Sequence, residues 1–112
     1  MDKDTDQKIA QLQLMEQNIQ NILAQKQSFQ AQELEVDNAL DEIEKTKGNV
    51  YKIIGGIMVS SDKNKVREEL KSKKEIIELR VKNIEKQENL IKDKMSEMQK
   101  EVQEQLKGSK NG

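Results

Sequence analysis

A mainly α protein, built as one long antiparallel two-helix coiled coil with a short β-hairpin at the bend, is what three features of the sequence predict. Apolar residues recur at heptad spacing in both halves of the chain, the only dense β-branched run lies between the halves, and Gly55-Gly56 stands at the middle of that run. Residues 1–112 are expected to form a single domain, with one helix over about 5–46, a hairpin over about 49–60 and a second helix over about 62–107.

Composition supports the helices before any periodicity is counted. The 112 residues are 37% charged and 2% aromatic, with no Pro, Cys, His or Trp, so large apolar side chains are too few for an ordinary globular core. Without Pro, a chain rich in Glu, Lys, Gln, Leu and Ile favours uninterrupted helix. Disorder is the rival at this charge density, and the regular apolar spacing argues against it.

In the first half Leu12, Ile19, Lys26, Glu33 and Leu40 recur every seven residues, each followed three later by Met15, Ile22, Phe29, Val36 and Ile43. This is an a/d seam with only Lys26 and Glu33 polar. Asp4, Thr5 or Asp6 is placed to cap the helix. Then comes Asn49-Val-Tyr-Lys-Ile-Ile-Gly-Gly-Ile-Met-Val-Ser60, read as strands over 50–54 and 57–60 around a turn whose positive φ glycine adopts without steric cost. In the second half Lys74, Val81, Glu88, Met95 and Val102 take a, and Leu70, Ile77, Ile84, Ile91 and Met98 take d. Ser61 or Asp62 would start this helix and Gly108 would end it.

If the Gly-Gly turn folds the second helix back along the first, residues whose numbers add to 110 should meet: Leu40 with Leu70, Phe29 with Val81, Met15 with Met95. Every a residue then faces a d residue, and none of these layers is polar on both sides. Asp37 would face Lys71 and Glu16 would face Lys92, and the acidic stretch 33–44 would lie beside the basic stretch 63–74. Exposed pairs contribute only about 0–1 kcal/mol each, so they favour the register without creating it. Tyr51, Ile53 and Met58 fall on one face of the hairpin and Ile54, Ile57 and Val59 on the other. A two-stranded hairpin with two apolar faces needs partners, since such a hairpin is marginal alone in water.

Val50-Tyr-Lys-Ile-Ile-Gly-Gly-Ile-Met-Val59 between two long helices, followed by Leu79-Arg80 and Glu85-Lys-Gln-Glu88, resembles the beta subunits of the prefoldin family, especially the archaeal form, over essentially the whole chain. The resemblance implies an ATP-independent holdase: a hetero-hexamer of two alpha and four beta subunits whose strands build a β platform. Its coiled-coil tips capture unfolded clients and pass them to a group II chaperonin. It places Val50, Tyr51, Ile53, Ile54, Gly55, Ile57 and Val59 in the platform. The single pair of strands matches the beta class, since alpha subunits carry more.

Near the termini Met15, Met95 and Met98 converge with Ile9, Leu12, Val102 and Leu106. These seven are either ordinary seam residues or a polarizable surface that adapts to many apolar clients, and the two readings are compatible. Ile9, Leu14 and Leu23 lie off the seam and add weight to client binding. Lys26, Glu33, Lys74 and Glu88 would either set the register or reach to the seam edge.

Other function classes have little support. Without His, Cys or a phosphate-binding Gly-rich loop, and with carboxylates on long solvated helices, the chain is not expected to be an enzyme or to need a cofactor. Glu68-Glu69, Glu75 and Glu78 read as a solvated face, not a metal site. A net charge of −1 gives no field for nucleic acid, and no run approaches the roughly 18 apolar residues of a membrane span. Residence in the cytoplasm follows as the expectation. The leading rival is a coiled-coil scaffold or tether with no affinity for unfolded chains.

Overall fold

A computed structural model describes residues 3–111. Its elements run α1 Lys3–Lys45, β1 Val50–Ile54, β2 Ile57–Ser61 and α2 Lys63–Asn111. No helix among the described residues is long and apolar enough to cross a membrane. The chain divides into two units. One holds the part of α1 up to Lys26 with the part of α2 from Asn83 onward; the other holds 27–82, including the hairpin.

The start of α1 departs from expectation: the helix already includes Lys3, so Asp4 and Asp6 lie in its first turn. There their charges favour the positive end of the helix dipole. At its other end Thr46 donates its N–H to the Ile43 carbonyl at 3.2 Å and its hydroxyl to the Glu42 carbonyl at 2.6 Å. The Lys63 ammonium, on the first residue of α2, then donates to the Thr46 carbonyl at 2.9 Å. That satisfies a group which a helix terminus otherwise leaves to water.

Asp62 caps α2. Its carboxylate accepts from the Asn64 N–H at 3.3 Å, while its carbonyl accepts the first helical bond from Val66. Gly108 does not end this helix, which runs through it to Asn111. A single glycine costs only about 1 kcal/mol inside a helix, less than its neighbouring turns recover.

Both units pair the helices antiparallel, close to the pairing in which residue numbers add to 110. Thr5 with Gln105 meets that pairing directly; Lys8 with Glu101, Phe29 with Arg80, Asp37 with Lys74 and Glu44 with Arg67 miss it by one. Of the two charge pairs expected to support it, Asp37 reaches Lys74 at 2.7 Å in place of Lys71, and Lys92 lies 3.8 Å from Glu88 in its own helix. Long side chains select among neighbours one turn apart, so sequence spacing alone does not choose between them.

The seam buries Ile43, Val36 and Ile77 in the hairpin unit and Ile22, Ile84 and Val102 in the other. Two features were not foreseen. Val66, one residue before the a position, is buried, while Arg67 at that position reaches out to Glu44 at 2.6 Å. Beyond the last apolar layer, Thr5 and Gln105 make a layer polar on both sides, the Thr5 hydroxyl donating to Gln105 Oε1 at 2.6 Å.

Candidate assembly and client surfaces

The hairpin follows from its turn. Gly55 and Gly56 have φ of +56° and +81°, the left-handed region that a primed two-residue turn requires at both central positions. The turn sets the register, with Ile54 opposite Ile57, Ile53 opposite Met58 and Tyr51 opposite Ser60. Side chains alternate across the ribbon, so Tyr51, Ile53 and Met58 share one face and Ile54, Ile57 and Val59 the other.

All six are exposed, from 43% for Val59 to 74% for Ile53, and Val50 is half-buried. Burying one large aliphatic side chain fully is worth about 1.5–3 kcal/mol, so this small ribbon leaves a large gain unrealised in the single chain. One polar contact ties it to α2: the Lys52 ammonium pairs with the Glu69 carboxylate. That hydrogen bond holds Glu69 below the usual carboxylate range.

In the other unit the residues near the termini form a closed seam with an edge. Val102 is buried, Ile9, Leu12, Met15, Met95 and Met98 are half-buried, and Leu106 is exposed at 37%. Met15 and Met98 line a shallow open groove with Lys94, Glu97 and Glu101. Leu14 lies on the outer surface at 60% exposure. The end is fastened by polar groups: Gln105 accepts from Thr5 and donates to the Asp4 carboxylate at 3.0 Å, and Lys8 lies 3.2 Å from both Asp4 and Glu101. These two carboxylates, Asp4 first, raise the Lys8 pKa. The seam is therefore closed here, not frayed, and the groove and outer side chains offer its apolar surface.

Sequence reasoning missed the exposed Leu34, Ile76, Leu79 and Leu90. Their signal was available: all four are large aliphatics at heptad positions other than a and d, which a two-helix seam does not cover.

A β-hairpin with two apolar faces, joining two antiparallel paired helices, is a specific combination. The family described as "Prefoldin subunit" matches residues 6–109. The chain belongs to the prefoldin family. It is 37% identical to a prefoldin subunit beta of Thermococcus onnurineus over 101 residues, covering 88% of this chain and 87% of the relative. It is 35% identical to the prefoldin subunit beta of Sulfurisphaera tokodaii, over 88% of this chain and 80% of that one. Among solved structures it is similar to the crystal structure of the prefoldin beta subunit from Thermococcus strain KS-1, with a TM-score of 0.88, 34% identity and 94% of each chain covered. The fold expected from the sequence, two long helices around a short antiparallel hairpin, is that of the prefoldin beta structure. As a prefoldin subunit, the chain assembles with other prefoldin subunits and serves chaperone function.

Proposed function

We propose that this chain is a beta-type prefoldin subunit acting as a nucleotide-independent holdase within a hetero-hexamer of two alpha and four beta subunits in the cytoplasm. The observation that carries the proposal is the hairpin, whose Tyr51, Ile53, Met58 and Ile54, Ile57, Val59 faces both stand open in the single chain. Joined to strands of other subunits, Val50, Tyr51, Ile53, Ile54, Ile57 and Val59 would build the platform, with Gly55 giving its turn.

Unfolded clients would meet Ile9, Leu12, Met15, Met95, Met98, Val102 and Leu106 near the termini. Shallow apolar contacts repeated over several subunits give avidity without a deep pocket. A flexible thioether such as Met15 or Met98 fits many apolar shapes. Transfer to a group II chaperonin would complete the cycle. No step needs bond making or a cofactor, so the chain has no enzymatic role.

The test is aggregation of a denatured protein, followed by light scattering without nucleotide, in the presence of the complex assembled with an alpha-type subunit. Suppression at near-stoichiometric complex, and refolding once chaperonin and ATP are added, is the expected result. Undiminished aggregation would leave a scaffold or tether as the better account. Replacing Ile54 and Ile57 by Asp should dissolve the complex while helix content persists, because charges would sit against apolar partners. Light scattering that still reported the full assembly would remove these residues from the interface.

A further inference from the structure

Next to the hairpin, the two helices carry exposed apolar residues on their outer flanks at matching levels. Leu34 on α1 is 62% exposed; Ile76 and Leu79 on α2 are 51% and 62% exposed. Isolated surface leucines are ordinary, but this pair differs from scattered ones. Ile76 and Leu79 stand three residues apart on one helix face, and Ile76 lines an open groove along α2 with Lys65, Glu69, Ser72 and Lys73. The numbers of Leu34 and Ile76 add to 110, the pairing the helices follow, so both sit at the same distance from the turn.

The flanks also differ in charge. Between Gln27 and Lys45, α1 carries six carboxylates and one lysine. Between Lys63 and Lys82, α2 carries eight basic residues and four acidic ones. Inside the chain, Asp37 with Lys74 and Glu44 with Arg67 use part of this asymmetry. Asp41, one helical face-repeat beyond Leu34, is exposed, and so are Lys65 and Lys73 beside the groove.

We propose that these flanks form a second contact between neighbouring subunits, in which Leu34 of one copy of this chain packs against Ile76 and Leu79 of the next. The occupant is a second copy because only a chain set side by side, with its hairpin at the same level, brings Leu34 to Ile76 and the acidic α1 flank to the basic α2 flank. One turn of helix separates the level of Asp41 from that of Lys73, within reach of a lysine side chain. The contact is heterologous, the α1 flank of each copy meeting the α2 flank of another, so it would propagate around an assembly and fix the angle between adjacent subunits. It rests on the reading that hairpins bring the subunits together, and adds a helical contact to that interface.

The chain has no cysteine, so single thiols report the contact cleanly. Leu34→Cys and Leu79→Cys variants of the full chain, both at exposed positions, would be mixed in equal amounts, allowed to assemble and oxidised, with products resolved on a non-reducing gel. The mixed disulfide should exceed either self-disulfide several-fold, and adding Lys73→Glu to the Leu79→Cys variant should reduce that excess. An assembly of normal size in which the three disulfides form statistically would overturn the flank contact while leaving the hairpin interface standing. A chain that stays monomeric by light scattering would overturn both. A denatured, thiol-blocked client that suppresses the mixed disulfide without dissolving the assembly would assign the flank to clients and overturn the proposal.

Discussion

Glu88 lies 6% exposed in an apolar seam, with the Lys26 ammonium at 3.6 Å and Lys92 at 3.8 Å. Lys26 takes the seam position expected from the sequence, yet its ammonium reaches the edge, where it also lies 3.8 Å from Glu85. Removing one partner of a buried pair leaves a desolvated charge, whereas replacing both by apolar groups of similar size restores packing. Lys26→Leu should therefore destabilise the chain by about 1–3 kcal/mol, less than a fully buried pair because Lys92 remains nearby, and Lys26→Leu with Glu88→Leu should recover most of that loss. Urea unfolding at one fixed protein concentration, followed by circular dichroism, checks this; equal losses in the single and double variants would show that Glu88 does not depend on Lys26. The sequence marked both residues as polar seam positions. It could not show which would be buried, because that depends on how far each side chain reaches past the seam.

At the scale of elements, the helices and hairpin were legible because each rests on a short-range rule: heptad spacing for the first and a Gly-Gly turn for the second. Terminal detail was not. Thr5 and Gln105 hide from an apolar pattern although they continue its spacing by one heptad, and Val66 is buried where the helix enters from Asp62 and the seam shifts by one residue. The hairpin invites two predictions. Neither Gly55 nor Gly56 has neighbours that a Cβ would strike, so an alanine there would feel only the left-handed backbone, at about 1–2 kcal/mol per position. Gly55→Ala with Gly56→Ala should accordingly raise the concentration at which the complex assembles, measured by analytical ultracentrifugation. The second concerns pH. Because Lys52 lowers the Glu69 pKa, their contact contributes above the ordinary value of 4.5 and is lost as pH falls through the lower folded value. An NMR titration should place the Glu69 midpoint below 4.5, and Lys52→Met should return it toward that value. A native midpoint at the ordinary value would mean that the contact is absent in solution. Lys74 runs the other way: Asp37 raises its pKa, so that contribution is complete below 10.5 and lost as pH rises through the folded value.

For the whole molecule, the antiparallel register and the family followed from one reading of the sequence, since the same turn that sets the hairpin directs α2 back along α1. The exposed flank residues Leu34, Ile76 and Leu79 escaped that reading because it sought only what one chain buries. Cysteines at Phe29 and Val81 in one unit, and at Met15 and Met95 in the other, should each form a disulfide within one chain; cross-links only between chains would contradict the intramolecular pairing. The central claim is that this chain holds unfolded proteins through its terminal apolar residues and not through the hairpin that assembles it. Its most direct test is aggregation of a denatured client, followed by light scattering, with complexes assembled from the full chain or from one lacking residues 1–15 and 96–112. The shortened chain should still assemble through Tyr51, Ile53, Ile54, Ile57 and Val59 yet no longer suppress aggregation. A shortened complex that protected the client as well as the full one would contradict the claim and move holding to the remaining helices or the hairpin platform.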